Sequence, residues 1–291
     1  MSTVSAAIDP FVFPLREIPL RTAVREALFE DRAFEDVTTL ATIAVTAMSS
    51  AVMSARKPGV VCGVPLAIEA FTQLSQNVRV EVVRPDGTVV SPGDEVLRII
   101  GPSRALLQAE RVALNYMMHL SGVASLTRTF VNAIAGTSAR ILDTRKTTPG
   151  LRQLEKYAVR CGGGRNHRMD LASMAMLKDN HLASVGGDIV AAVAAVRAIL
   201  PAGTWVEVEA DRREQVERAV ESGADVIMLD NMSLDAMREC VALVAGRAIV
   251  EASGGVTIDR VRSIAETGVD WISVGALTHS APALDLGLDF S

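Results

Sequence analysis

The sequence predicts an α/β protein: a small N-terminal α+β domain followed by a barrel of six or seven parallel β/α units. Three observations predict it. An apolar content of 49% with only 4% aromatics describes an aliphatic core. Short apolar runs after residue 138 each end in a polar or small residue and lead into a helical pattern, the signature of parallel βα units. No glycine fingerprint follows the first of these runs, which favours a barrel over a doubly wound sheet. A length of 291 residues suits one large domain or two ordinary ones.

The elements follow in order. Residues 51–55 and 78–83 read as strands with a helix over 65–74 between them. Asp86 with Gly87 and Pro92 with Gly93 are turn signals around another strand pair. A long helical pattern over 103–135 is expected to form two helices meeting near Ser121 and Gly122. The barrel runs are ARILDT (139–144), MAMLKD (174–179), WVEVEA (205–210), DVIMLD (225–230), AIVEAS (248–253) and WISVGA (271–276). Amphipathic segments at 212–222, 234–245 and 258–267 supply helices between the later runs. The expected division is a first domain over 1–120 and a barrel over 121–280, with the tail 281–291 packing back on the first domain.

Several classes are disfavoured. The net charge of −5 argues against a general nucleic-acid binder. No stretch approaches the roughly 20 apolar residues of a membrane helix, and the N-terminal stretch lacks the pattern of a secretion signal. A cytoplasmic protein with no membrane partner is expected. Cys62, Cys161 and Cys240 are widely spaced and form no Cys-x-x-Cys pair, so reduced structural thiols are expected.

Against that acidic background, residues 145–181 stand out. Arg145, Lys146, Arg152, Lys156, Arg160, Arg165, Arg168 and Lys178 are opposed there only by Glu155, Asp170 and Asp179. Such a segment suits a small, densely anionic ligand. In barrels the reactive groups stand at the carboxyl ends of the strands, which nominates Asp143, Lys178, Glu209, Asp230, Ser253 and Gly275. Glu209 and Asp230 end consecutive strands and suit either Mg²⁺ or ribose hydroxyls, with plain salt bridges as the alternative. Ser253, Gly254 and Gly255, then Val274, Gly275 and Ala276, follow the last two strands and suit phosphate. Arg145 and Arg168 can grip a carboxylate bidentately. His167 can donate to an anion or exchange a proton. Lys146 and Lys178 suit fixed positive charge or a Schiff base. Arg152, Lys156 and Arg160, at helical spacing, read as a solvated helix face. The run from Cys161 to Gly164 reads as a loop closing over substrate or as a connector. His119 reads as a core or interface histidine, and His279 as a possible phosphate contact. Together the groups fit the joining of a carboxylated small molecule to a sugar phosphate.

DTRKTTPG, RCGGGRNHR, LKDNH, VEVEA, LDN, SGG and VGALTHS together resemble the quinolinate phosphoribosyltransferase family, over essentially the whole chain from EDVTTLAT (35–42) to THS (278–280). The resemblance implies a type II phosphoribosyltransferase with an N-terminal α/β sandwich and an incomplete α/β barrel. It implies phosphoribosyl transfer from phosphoribosyl pyrophosphate to quinolinate with decarboxylation. It also implies a homodimer in which Arg111 reaches the neighbouring subunit's site. By position, Arg111, Arg145, His167, Arg168 and Lys178 match the quinolinate-binding residues. Lys146, Glu209 and Asp230 match those that act on the donor and its Mg²⁺, with Glu209 and Asp230 the metal ligands. Ser253, Gly254 and Gly275 match the phosphate loops. A nicotinate-preferring relative, a Schiff-base aldolase on Lys146 or Lys178, and a non-catalytic anion-binding barrel are the competing readings.

Overall fold

The computed structural model describes residues 12–290; the first eleven residues of the stretch screened above for a secretion signal lie outside them. Helices α1 (Glu17–Glu30) and α2 (Val37–Thr42) precede strands β1 (Met48–Ala55) and β2 (Gly59–Val60). Helix α3 (Val64–Leu74), strands β3 (Arg79–Val82), β4 (Val89–Val90) and β5 (Glu95–Pro102), and helix α4 (Ser103–Ala133) follow. Next come β6 (Arg140–Leu142), α5 (Arg152–Cys161), β7 (Ala175–Leu177), α6 (Asp179–Ser184) and α7 (Ile189–Ile199). The chain then alternates through β8 (Val206–Ala210), α8 (Arg213–Glu221), β9 (Val226–Asp230), α9 (Leu234–Val244) and β10 (Ile249–Ser253). It continues with α10 (Ile258–Ala265), β11 (Trp271–Ser273) and α11 (Ala276–His279) and ends in β12 (Leu286–Phe290).

These elements form two units. The first comprises the chain up to Arg128, Thr148–Gly163 and the chain from Ser280 onward. Its main sheet is antiparallel, ordered β12-β1-β5-β3. Ala51, Met53 and Ala55 alternate into the core along β1, as expected of a sheet with one covered face. Helix α3 packs on β3 and on α1, forming the second layer of an α/β sandwich. Strand β12 pairs with β1 from Ala51↔Phe290 to Ala55↔Leu286, so the C-terminal tail completes this sheet.

The sequence predicts a break near Ser121 and Gly122, but α4 runs through it. Both small residues serve packing. Ser121 Oγ accepts the Cys62 N–H at 2.9 Å and donates to Cys62 O at 3.2 Å. A Cβ at Gly122 would overlap Pro282 O. The division between the two compact units falls inside this helix, after Arg128. The stretch Thr148–Gly163 also belongs to the first compact unit.

Burial within α5 corrects one expectation. Residues 154–159 of α5 are all buried, and Lys156 is fully so, which is not a solvated face. Glu155, also fully buried, lies 3.0 Å through Oε1 from His119 Nε2 and accepts the Thr148 N–H through Oε2 at 3.0 Å. Gly162 is packed against α4, where a Cβ would overlap Ala124 O, and its carbonyl accepts from Arg128 Nε at 2.8 Å. The glycine run therefore begins as a packed connector. A buried lysine is tolerated only with partners, and removing it strands them. Lys156→Ala is accordingly expected to cost about 3 kcal/mol of stability. Urea unfolding should show a lower midpoint, while substrate KM values of the folded fraction stay unchanged.

The second unit, Thr129–Thr147 with Gly164–His279, holds six parallel strands in the order β6-β11-β10-β9-β8-β7. All six predicted runs form these strands. No ladder joins edge strands β6 and β7; an isolated bridge, Leu142↔Arg165, stands beside β6. The barrel is thus incomplete. Strand β9 is buried from Val226 to Leu229, the near-continuous apolar run of a parallel strand covered on both faces. Helices α7 and α9 begin where the Asp188 and Ser233 side chains accept orphan N–H groups. Because side chains alternate, Glu207 and Glu209 share one face of β8, and Glu251 and Ser253 share one face of β10. Among the described residues no helix is long and apolar enough to cross a membrane, and Cys62, Cys161 and Cys240 are all buried.

Candidate active site

A cavity of about 650 Å³ lies at the carboxyl ends of the second unit's strands. Nine of the eleven site candidates line it, all but Arg111 and Gly275. Lys178, Glu209, Asp230 and Ser253, at or just past the ends of their strands, thus border one cavity. Arg111 sits exposed on α4 in the first unit. Gly275 stands just outside the cavity wall, where a Cβ would approach Lys146 Cδ to 3.2 Å and His279 Nε2 to 3.3 Å. Lys146, Gly275 and His279 thus share one corner. The Thr278 hydroxyl donates to Lys146 O at 2.7 Å and fixes that corner to the backbone.

The cationic wall is built from Arg145 and Arg168. Arg145 Nε is buried and has no hydrogen-bond acceptor among the described residues. Arg168 donates through Nη1 to Met174 O at 2.9 Å and through Nη2 to Met176 Sδ at 3.5 Å. Burial lowers the Arg168 pKa, and the positive charge of Arg145 lowers it further. Two guanidinium groups close enough to disfavour each other, one with an unused buried donor, make an electrostatically costly arrangement that an anion relieves.

Two carboxylates line the same cavity. Glu209 Oε2 lies 2.5 Å from Lys178 Nζ, with the glutamate side chain 15% exposed and the lysine 44%. Asp230 Oδ2 accepts from Asn231 Nδ2 at 2.8 Å. Asn231 holds a left-handed backbone, φ 54°, and its N–H donates to Ser253 O at 3.0 Å, which locks the ends of β9 and β10 together. A Cβ at Gly254, φ 87°, would overlap the Asn231 carboxamide, so glycine is required beside it.

On the cavity wall His167 meets two buried carboxylates. Its Nε2 lies 3.1 Å from Glu207 Oε2 and 3.3 Å from Glu251 Oε2, and both glutamates are fully buried. The Arg168 N–H points at Nδ1 from 2.7 Å, which fits a ring carrying its proton on Nε2. Burial opposes a second proton, but the two glutamates outweigh it and raise the imidazole pKa to about 10. That second proton would displace the Arg168 contact. Burial also pushes the Glu207 carboxyl up, against the pull of His167. His167 thus turns both ring nitrogens to protein groups rather than offering one outward. Asp143, a strand-end candidate, is fully buried and acts as scaffold, accepting the His167 N–H at 2.9 Å and Asn166 Nδ2 at 2.5 Å.

This arrangement has counterparts among known proteins. Residues 36–121 match the family model described as Quinolinate phosphoribosyl transferase, N-terminal domain. Residues 123–289 match Quinolinate phosphoribosyl transferase, C-terminal domain. The chain belongs to the quinolinate phosphoribosyl transferase family. Nicotinate-nucleotide pyrophosphorylase [carboxylating] of Mycobacterium leprae is 42% identical over 275 residues, 92% of this chain and 96% of the relative. The probable nicotinate-nucleotide pyrophosphorylase [carboxylating] of Bacillus subtilis is 39% identical, covering 94% of each chain. The crystal structure of NadC from Streptococcus pyogenes superposes with a TM-score of 0.91 at 40% identity, covering 95% of this chain and 98% of that one.

Within this quinolinate phosphoribosyl transferase chain, three residues at the site escape the sequence reading: Asn231, Glu207 and Glu251. Each carried a signal. An acid in the middle of an otherwise apolar parallel strand is rare unless it has a buried partner, as in VEVEA and IVEAS. Asn is also the non-glycine residue that best tolerates a left-handed turn after a strand-end acid.

Proposed function

We propose that this chain transfers the phosphoribosyl group of phosphoribosyl pyrophosphate to quinolinate, with loss of carbon dioxide, to give nicotinate mononucleotide for NAD biosynthesis. The observation that carries the reading is the Arg145–Arg168 wall, whose unused buried donor and crowded positive charge suit a compact dicarboxylate. Lys178 adds a third cation on the same cavity. Lys146, with the backbone at Ser253, Gly254 and Gly275, suits the donor's phosphates.

The chemistry follows from these placements. The pyridine nitrogen attacks the anomeric carbon while the bond to pyrophosphate breaks, and the leaving oxygen keeps the electron pair. Positive charge builds on the ribose, and the Glu209 and Asp230 carboxylates stabilise it. Positioning supplies much of the rest, since two bound anions held against each other react as one molecule. The product pyridinium then draws in the electrons of the adjacent ring–carboxylate bond. Carbon dioxide departs, and the ring carbon takes a proton.

Glu209 and Asp230 are hard oxygen donors on one cavity, the donor set that Mg²⁺ takes together with water and phosphate. When bound, Mg²⁺ would neutralise charge on the pyrophosphate. We further propose a homodimer in which Arg111, exposed on α4, completes the acid site of the neighbouring subunit, and a cytoplasmic location.

Quinolinate labelled in the 2-carboxylate, incubated with the chain, phosphoribosyl pyrophosphate and Mg²⁺, should release labelled carbon dioxide in step with pyrophosphate. Nicotinate should compete weakly, because a single carboxylate leaves part of the cationic wall unused. Pyrophosphate release without carbon dioxide, or none of either, would overturn the reading.

A further inference from the structure

We propose that Glu207 and Glu251 are positioning residues that hold the His167 imidazole as a peg, and through it set where Arg168 meets the acid. The proposal rests on the reading of the cavity given above. Glu207 lies outside the cavity lining and Glu251 borders it, both fully buried, and each acts through His167.

The geometry is specific. Glu207 on β8 and Glu251 on β10 belong to strands separated by β9, yet both reach one ring nitrogen, at 3.1 and 3.3 Å. Two carboxylates for one imidazole is more acid than a salt bridge requires, and burying the second is costly. Such an excess is expected where placement matters more than stability. The peg sits in the segment that needs one. Between the bridge at Arg165 and the start of β7 at Ala175, the chain crosses the open side of the barrel without a strand ladder. Asp143 grips that segment at the His167 N–H and the Asn166 carboxamide, and the His167 ring pins it to two further strands. Arg168, the next residue, is thereby fixed beside Arg145.

A metal centre is the competing reading of the same trio, because His167, Glu207 and Glu251 offer donor atoms within 4.8 Å of one another. A metal would need the Nε2 lone pair and would leave a proton on Nδ1. It would also have to displace the proton on Nε2, which faces the two carboxylates at 3.1 and 3.3 Å.

Glu207→Gln and Glu251→Gln separate these possibilities, with acid and donor varied independently in steady-state assays on the full chain. The expected result is a rise of about 10-fold or more in the quinolinate KM, with kcat and the donor KM nearly unchanged. Either variant suffices should the other fail to fold. In a His167→Ala background the same substitutions should add little, because the peg is already gone. An unchanged quinolinate KM in the folded variants, equal rises in both KM values, or one transition-metal ion per purified chain would overturn the assignment. A wild-type chain that releases no carbon dioxide from quinolinate would instead overturn the functional reading on which it rests.

Discussion

Arg145→Ala is expected to reduce kcat/KM for quinolinate by about 10³-fold, close to 4 kcal/mol, with the larger part in KM. The magnitude follows from the buried Nε. A donor held in the interior has no water to fall back on, so the bound carboxylate and the guanidinium each lose their partner when either is removed. Arg145→Lys should recover little, since an ammonium cannot reproduce the paired, planar donors of a guanidinium. A second effect has the opposite sign. Removing one of two crowded cations relieves Arg168 of its like-charged neighbour, so the variant should unfold at the same urea concentration as the parent or a slightly higher one. Loss of binding together with retained stability marks a residue strained toward its ligand. Initial-rate kinetics and urea unfolding on the same preparation measure both. Destabilisation with an unchanged quinolinate KM would show that Arg145 is structural.

The sequence carries the architecture of the second unit because parallel strands covered on both faces are mostly apolar along their length and turn polar at the mouth. DVIMLD shows this directly: four buried residues and then Asp230 at the cavity. The same rule makes most of the site legible, since it converts a strand's last residue into a position in space. What the sequence does not carry depends on partners distant along the chain. Gly122 reads as a helix break, yet its role is set by Pro282. Lys156 reads as a surface charge, because helical spacing cannot reveal what covers a face. Glu207 and Glu251 lie within alternating or apolar runs, and their meeting at His167 depends on three separate elements converging. Arg111 is harder still, since its proposed destination lies on a second copy of the chain.

Glu209→Ala and Asp230→Ala should each lower kcat by about 10²- to 10³-fold, because each removes negative charge from where the ribose becomes positive. Their effects on the substrates should differ. Asp230 is held by the neighbouring Asn231, so its loss should fall on the donor and on Mg²⁺ alone, raising the Mg²⁺ concentration needed for half-maximal rate. Glu209 is held by Lys178, a cation of the acid site, so its loss also releases a positive charge toward quinolinate. Glu209→Ala should therefore combine a low kcat with an unchanged or lowered quinolinate KM. Lys178→Ala should raise that KM while leaving Glu209 unpaired. The double variant should then be less impaired than the product of the two single effects, because the ion pair can be lost only once. Rates measured with acid, donor and Mg²⁺ each varied in turn give all three responses. Were the Glu209 and Asp230 variants alike on every axis, the Lys178–Glu209 pair would carry no coupling between the two halves of the site.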